Sequence, residues 1–253
     1  PHDQILDWAI LNAAPGLADA LTVASTHGEK KSARTRAISS LAAMKERPGL
    51  FGYSLDIDAH HDFAEPVTSS LAPWLLKFEA KPELWKALTS GLVRIQGEAS
   101  QWACHLAAEQ ILKQVGSSQS VVRILEMTAG NGGKLLGTLS ALEHLCLNGK
   151  QSFPKIEWVC VDSSTAQLDL LEKDALPIVK KRWSSVSTEV LRFGWERDPE
   201  AKVLTEEKFD FVWLDAPCTG FGTLAKLPQI SITRGDLAYE EAKKASLLQF
   251  VLC

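Results

Sequence analysis

Four short apolar runs stand out in the pattern of hydrophobic and polar positions along the second half of the chain. They occupy residues 121–127, 156–161, 186–191 and 209–214. Runs of this length that are rich in β-branched and aromatic residues are typical of parallel strands covered on both faces. The pattern therefore predicts four strands of one parallel sheet.

Helical spacing of apolar residues fills the intervals around these runs. Residues 97–116 carry apolar positions three and four apart, and further helices are predicted at about 135–147, 166–179 and 236–252. Strands and helices that alternate in this way form right-handed crossovers that cover both faces of a sheet. The predicted fold is α/β, with the four strands in the order 3-2-1-4.

The first third of the chain has a different pattern. Residues 1–47 show helical spacing interrupted by proline and glycine, residues 48–73 read as irregular, and a helical pattern restarts at Trp74. We therefore predict a mainly helical region over residues 1–90 and the α/β domain over residues 91–253.

Composition and charge indicate an ordinary globular protein. The 253 residues are 45% hydrophobic and 23% charged, with a net charge of −4. Residues 29–47 hold six basic and two acidic side chains, an excess that suits phosphate groups but equally a solvated helix face. Because no membrane-length apolar run and no cleavable signal is visible, we expect an intracellular protein, in cytoplasm, nucleolus or organelle. Pro1 leaves open whether a targeting segment precedes it.

The cysteines and histidines do not form a metal-binding pattern. The five cysteines are spread along the chain without a Cys-x-x-Cys pair, and His60 and His61 lack companion ligands at usual spacing. We expect reduced thiols, no bound metal, no membrane partner and a monomer.

A glycine-rich turn, TAGNGGK at residues 128–134, connects the first predicted strand to the next helix. Glycines let the backbone approach a ligand, and a helix N-terminus supplies free N–H groups. The third glycine of the G-x-G-x-x-G pattern is absent, which disfavours a nicotinamide dinucleotide. S-adenosylmethionine fits better because it has no pyrophosphate, and Asp162 at the end of the second strand is suited to hold two ribose hydroxyls.

Asp215 and Cys218 follow the fourth predicted strand. Ligands bind at the carboxyl ends of the strands in open α/β sheets, so both residues are candidates for chemistry. A lone cysteine is more often a small buried hydrophobe. The neighbouring Pro217 and Gly220 favour a functional loop instead.

Together these motifs resemble those of the RsmB/Sun-type RNA cytosine-C5 methyltransferases. The similar segments are TAGNGGK at 128–134, DAPCTGFG at 215–222, IQGEASQ at 95–101 and SSLAPWLLKF at 69–78. The resemblance covers about residues 69–253, and the DAPC motif is its most specific part.

The resemblance implies a Rossmann-like methyltransferase sheet that binds S-adenosylmethionine. The implied cofactor-binding residues are those of the glycine turn and two strand-end acids: Thr128, Ala129, Gly130, Asn131, Gly132, Gly133, Lys134, Asp162 and Asp215. In the family a thiolate adds to carbon 6 of cytosine, which makes carbon 5 nucleophilic enough to accept a methyl group. Cys218 matches the cysteine thought to assist product release, whereas the nucleophile belongs to a later Thr-Cys motif that is absent from this sequence. The resemblance thus implies a C-terminally truncated member with an incomplete sheet.

Three positions depart from the family pattern. Asn131 stands where proline is usual, Gly97 stands where aspartate is usual, and residues 193–195 read Phe-Gly-Trp where an acid normally follows the third strand. Glu196 and Asp198 are weak substitutes for that acid, so no adenine contact is assigned.

The leading interpretation is an enzyme that methylates carbon 5 of cytosine in RNA, with ribosomal RNA as the expected substrate. Residues 1–90 are then a candidate RNA-binding region, and bases in RNA loops are readily splayed into a pocket. One alternative is a methyltransferase for a protein or a small molecule that shares the cofactor half of the sheet. Another is a non-catalytic RNA-binding relative that lacks the nucleophile.

Overall fold

The computed structural model describes residues 50–55, 62–68, 70, 73–115, 121–195, 201, 204 and 206–216. Within the chain, Gly49–Asp215 form one compact unit. The helical patterns at 1–47 and 236–252 and the basic cluster within the first of them lie outside the described residues. Those interpretations, and the division of the chain near residue 90, stay predictions.

A four-stranded antiparallel sheet opens the described part of the chain. Its elements are β1 (Leu50–Ser54), β2 (Ala64–Pro66), β3 (Leu76–Phe78), helix α1 (Pro82–Thr89) and β4 (Val93–Ile95). The strands lie in the order β2-β3-β1-β4, and every neighbouring pair is antiparallel. The expectation of irregular structure over 48–73 is wrong for the described residues, because strands of three to five residues are too short for the pattern to distinguish. The helix expected from Trp74 begins only at Pro82, after β3.

Two long helices pack against each other and confirm two predicted helices. They are α2 (Glu98–Val115) and α3 (Gly133–Gly149). Small side chains let them approach closely, since a Cβ built at Gly137 of α3 would lie 2.8 Å from the Sγ of Cys104 on α2. The helix pair therefore has no room for a larger side chain at this crossing.

The predicted parallel sheet is confirmed. Its strands are β5 (Val122–Glu126), β6 (Ile156–Asp162), β7 (Val186–Arg192) and β8 (Phe211–Trp213). They lie in the order β7-β6-β5-β8, which is the predicted 3-2-1-4 arrangement. The described part of the chain is thus a mixed α/β fold that is compatible with a Rossmann-like sheet.

The crossover from β6 to β7 differs from the single helix predicted over residues 166–179. It consists of α4 (Thr165–Leu170), a π-helical turn (Leu171–Ala175) and α5 (Leu176–Arg182). Its buried residues Leu168, Leu171, Ala175 and Val179 are spaced three or four apart, as in a regular helix. The apolar pattern therefore predicts the buried face correctly but cannot reveal the wider turn.

The main core joins the two sheets. Tyr53 and Leu55, at the end of β1, belong to the same buried cluster as Ile111 of α2, Ile124 of β5 and Trp158 of β6. A second cluster lies on the other face of the parallel sheet and contains Leu125, Val159, Val161, Phe193, Ala201 and Leu204. Among the described residues, no helix combines the length and apolar character needed to cross a bilayer.

Candidate functional site

The turn between β5 and α3 depends on two glycines in the left-handed conformation. Gly130 has φ +54° and Gly132 has φ +83°. Such φ values strain any residue with a Cβ, which explains glycine at both positions. Gly132 is the N-cap of α3, and its carbonyl accepts a hydrogen bond from the Leu136 N–H at 3.0 Å.

The two glycines differ in their surroundings. A Cβ built on Gly132 would lie 2.9 Å from the Cβ of Ala175 and 3.4 Å from the Cγ of Leu171, both in the π-helical turn. A Cβ built on Gly130 would meet no described atom within 4 Å. Glycine at 132 is therefore required both for the left-handed backbone and for the close contact with the π-helical turn. At Gly130 the side of the backbone on which a Cβ would lie is open, and we call it the open face of the turn.

Asp162, at the end of β6, lies directly beside this turn. Its Oδ2 accepts a hydrogen bond from the Gly130 N–H and its Oδ1 accepts one from the Ser164 N–H, both at 2.8 Å. A carboxylate oxygen can accept more than one hydrogen bond, so both retain acceptor capacity. The structure thus brings together the glycine turn and the acid that the sequence predicted at the second strand.

An ion pair connects the glycine turn to the end of β8. The Nζ of Lys134 lies 2.6 Å from Oδ2 of Asp215 and 3.1 Å from Oγ of Ser100. The Asp215 N–H also donates to Oγ1 of Thr128 at 3.1 Å. Because the Asp215 side chain is 60% exposed, the pair adds little to stability, and its importance lies in placing a carboxylate and an ammonium together beside the turn.

The other predicted site residues occupy the same edge of the sheet. Ala129 is buried and donates its N–H to the Val161 carbonyl at 2.9 Å, while Asn131 and Gly133 are exposed. Cys218 lies outside the described residues, so its role in product release stays a prediction.

An aromatic pair follows β7 where the family pattern has an acid. The Nε1 of Trp195 donates to the Met127 carbonyl at 2.7 Å, and the ring of Trp195 meets the buried Phe193 edge-on at 5.1 Å. This packing ties the end of β7 to the residue that precedes the glycine turn. Glu196 and Asp198 lie outside the described residues.

Glu126 is a site residue that sequence reasoning missed. It ends β5, is 1% exposed, and accepts a hydrogen bond at Oε2 from Nε1 of Trp158 at 2.9 Å. Its Oε1 is buried and has no partner among the described residues. Burial raises the pKa of the Glu126 carboxyl to about 8, partly opposed by the Trp158 hydrogen bond and by Lys134. The available signal was a single acid at the end of an apolar run, immediately before the glycine turn.

The residues present fit the cofactor that the resemblance implies. Asp162 retains acceptor capacity for a pair of ribose hydroxyls, and the open face at Gly130 lets a ligand approach the backbone. Among the described residues, no group of three or more His, Cys, Asp or Glu side chains could hold a metal ion. Comparison with models of known protein families finds no match, and no curated protein matches the chain either.

Proposed function

We propose that this chain is an S-adenosylmethionine-dependent methyltransferase that acts on carbon 5 of cytosine in RNA, with ribosomal RNA as the substrate class. The observation that carries the proposal is the 2.6 Å contact between Lys134 and Asp215. It joins the glycine turn to the first residue of the DAPC motif, so the two motifs of the resemblance adjoin in space. The parallel sheet supports the proposal, because ligands of open α/β sheets bind at this edge.

Each residue of the edge has a role in this proposal. Asp162 would hold the ribose hydroxyls of the cofactor, and the backbone from Gly130 to Gly133 would lie close to it. When bound, the cofactor supplies an electrophilic methyl group on a sulfonium. Asp215 is an exposed acceptor for the cofactor or for the amino edge of the target cytosine, and Lys134 orients its carboxylate. Cys218, three residues after Asp215, would assist product release by resemblance. Methyl transfer to carbon 5 also needs a thiolate that adds to carbon 6, and no residue of this sequence is assigned that role, because the Thr-Cys motif of the family is absent from it.

Calorimetric titration with S-adenosylmethionine tests the cofactor assignment. We expect Gly130→Ala to weaken binding about tenfold or more, because the added methyl group occupies the open face of the turn. Asp162→Asn should weaken binding similarly. The amide oxygen can still accept a hydrogen bond from one backbone N–H, but the variant loses the negative charge and the second acceptor oxygen that would hold the ribose hydroxyls. Gly149→Ala, at the far end of α3, is the matched control and should bind like the parent chain.

Two outcomes would overturn the assignment: no binding by the parent chain, or equal affinity in all variants. The substrate is tested separately by transfer of a labelled methyl group to a cytosine-containing RNA, with a 5-methylcytosine RNA as the control. Cofactor binding with transfer only to a protein or small molecule would favour the first alternative. Cofactor-independent RNA binding would favour the non-catalytic relative.

A further inference from the structure

Arg94 of β4 and Gln96, the residue that follows this strand, bond the elements around the glycine turn from the antiparallel sheet. Gln96 is held next to β1, because its N–H donates to the Phe51 carbonyl at 2.9 Å. The Nη2 of Arg94 donates to the Asp174 carbonyl at 3.1 Å, and the Nε2 of Gln96 donates to the Gly133 carbonyl at 3.2 Å. One bond therefore ends in the π-helical turn and the other at the first residue of α3.

The π-helical turn lies between the bond from Arg94 and Gly132. Asp174 belongs to this turn, and its neighbours Ala175 and Leu171 are almost completely buried. These two residues contact the backbone of Gly132 so closely that a Cβ there would lie 2.9 Å from Ala175. A shift of the π-helical turn would therefore require Gly132 to move or would leave a gap beside it.

Polar contacts, rather than close packing, connect β4 to the turn at this point. A cavity of about 90 Å³ lies between them, bounded in part by Tyr53, Arg94, Gln96, Asn131 and Gly133. The Nε of Arg94 is buried and has no partner among the described residues. In the part of the chain that the structure describes, the bonds from Arg94 and Gln96 connect the two sides of this cavity.

We propose that Arg94 is a positioning residue of the glycine turn. By holding the π-helical turn against Gly132, Arg94 keeps the turn in the shape in which the Gly130 N–H reaches Asp162. This inference rests on the proposed function only for its consequence, namely that loosening the turn weakens cofactor binding.

The test is NMR-detected amide exchange in the full chain without ligand. The reporters are the amides of Gly130, Gly132 and Leu136, which donate to Asp162, Ala129 and Gly132 respectively. Arg94→Met should speed exchange at these reporters about tenfold and leave the central amides of β6 unchanged. Arg94→Lys, which retains a charged donor, should restore most of the protection.

Arg192→Met is the matched control. Arg192, on β7, bonds the side chains of Asp169 in α4 and Glu172 in the π-helical turn. These bonds end on exposed carboxylates, which can move without the backbone, whereas Arg94 bonds the backbone carbonyl of Asp174. This variant should leave the three reporters unchanged. Unchanged reporters in Arg94→Met, equal acceleration in both Met variants, or uniform acceleration throughout the parallel sheet would each overturn the positioning role.

The two proposals can fail separately. If the parent chain does not bind S-adenosylmethionine, the proposed function fails while the exchange experiment still decides the role of Arg94. If the cofactor binds, Arg94→Met should lower its affinity about tenfold with an unchanged melting temperature, and Arg94→Lys should recover it.

Discussion

At the scale of the residue, Glu126 is a carboxyl group that the fold buries at the end of β5, where the absence of water disfavours its charged form. Burial raises its pKa from 4.5 to about 8, so the folded chain keeps the proton over a range in which the unfolded chain has lost it. The folded state then binds more protons than the unfolded state, and stability must fall as pH rises from about 5 to 8. A neutral Glu126 can also donate a hydrogen bond toward the site.

We predict that Glu126→Gln raises the free energy of unfolding at pH 8 by roughly 1–3 kcal/mol and changes it little at pH 5. The amide resembles the protonated acid and can still accept the hydrogen bond from Trp158. Urea denaturation at both pH values measures the difference. Glu157→Gln, which alters an exposed acid on β6, is the control, and a parent-like pH dependence in Glu126→Gln would contradict the raised pKa.

At the scale of the element, the glycine turn and the π-helical turn form one packed unit. Gly130 and Gly132 both have positive φ, but only Gly132 lies against Ala175. The first glycine therefore fixes the backbone shape alone, whereas the second also sets the distance between two elements that are separated in sequence.

We predict that Gly132→Ala lowers the free energy of unfolding by roughly 2–4 kcal/mol, and Gly130→Ala by only about 1–2 kcal/mol. Both variants strain a left-handed backbone, but the new methyl group at 132 must also displace Ala175 or Leu171. Urea denaturation of both variants, with Gly149→Ala as a control, measures the difference. Equal losses in the two glycine-turn variants would show that the close approach to the π-helical turn is unimportant.

Apolar spacing in the sequence predicted the elements whose buried residues recur at a regular interval. The parallel strands, α2 and α3 all follow from it, although β8 is shorter than its apolar run. The pattern could not predict β1 to β4, because strands of three to five residues are too short for it to distinguish. It also could not predict the π-helical turn, which keeps the helical spacing of buried residues.

The same limit applies to the candidate site. The sequence identified the turn and the acids at the strand ends, because those follow from chain order in a parallel sheet. It did not identify the pairing of Trp158 with Glu126, which requires the register of β5 against β6. It also did not identify the Lys134–Asp215 contact, which depends on side-chain conformation across two elements.

At the scale of the whole molecule, the two sheets share a core although the sequence pattern changes between them. Tyr53 and Leu55, from the antiparallel side, pack in the cluster that also holds Ile124 and Trp158 of the parallel sheet. Arg94 and Gln96 add polar contacts between the same parts. Such shared burial makes it costly for one sheet to unfold while the other stays folded.

We therefore predict that Leu55→Ala destabilises the parallel sheet as well as the antiparallel one. Leu55 is 3% exposed, so its truncation should lower the free energy of unfolding by about 2–4 kcal/mol. If residues 49–215 unfold as one cooperative unit, the free energy of exchange of the slowest amides in β5 and β6 should fall by the same amount as the free energy of unfolding measured in urea. Leu106→Ala, at a position that is 40% exposed, should change both quantities little. Full protection of β5 and β6 in Leu55→Ala would instead mean that the chain divides near residue 90 into two independently folding domains.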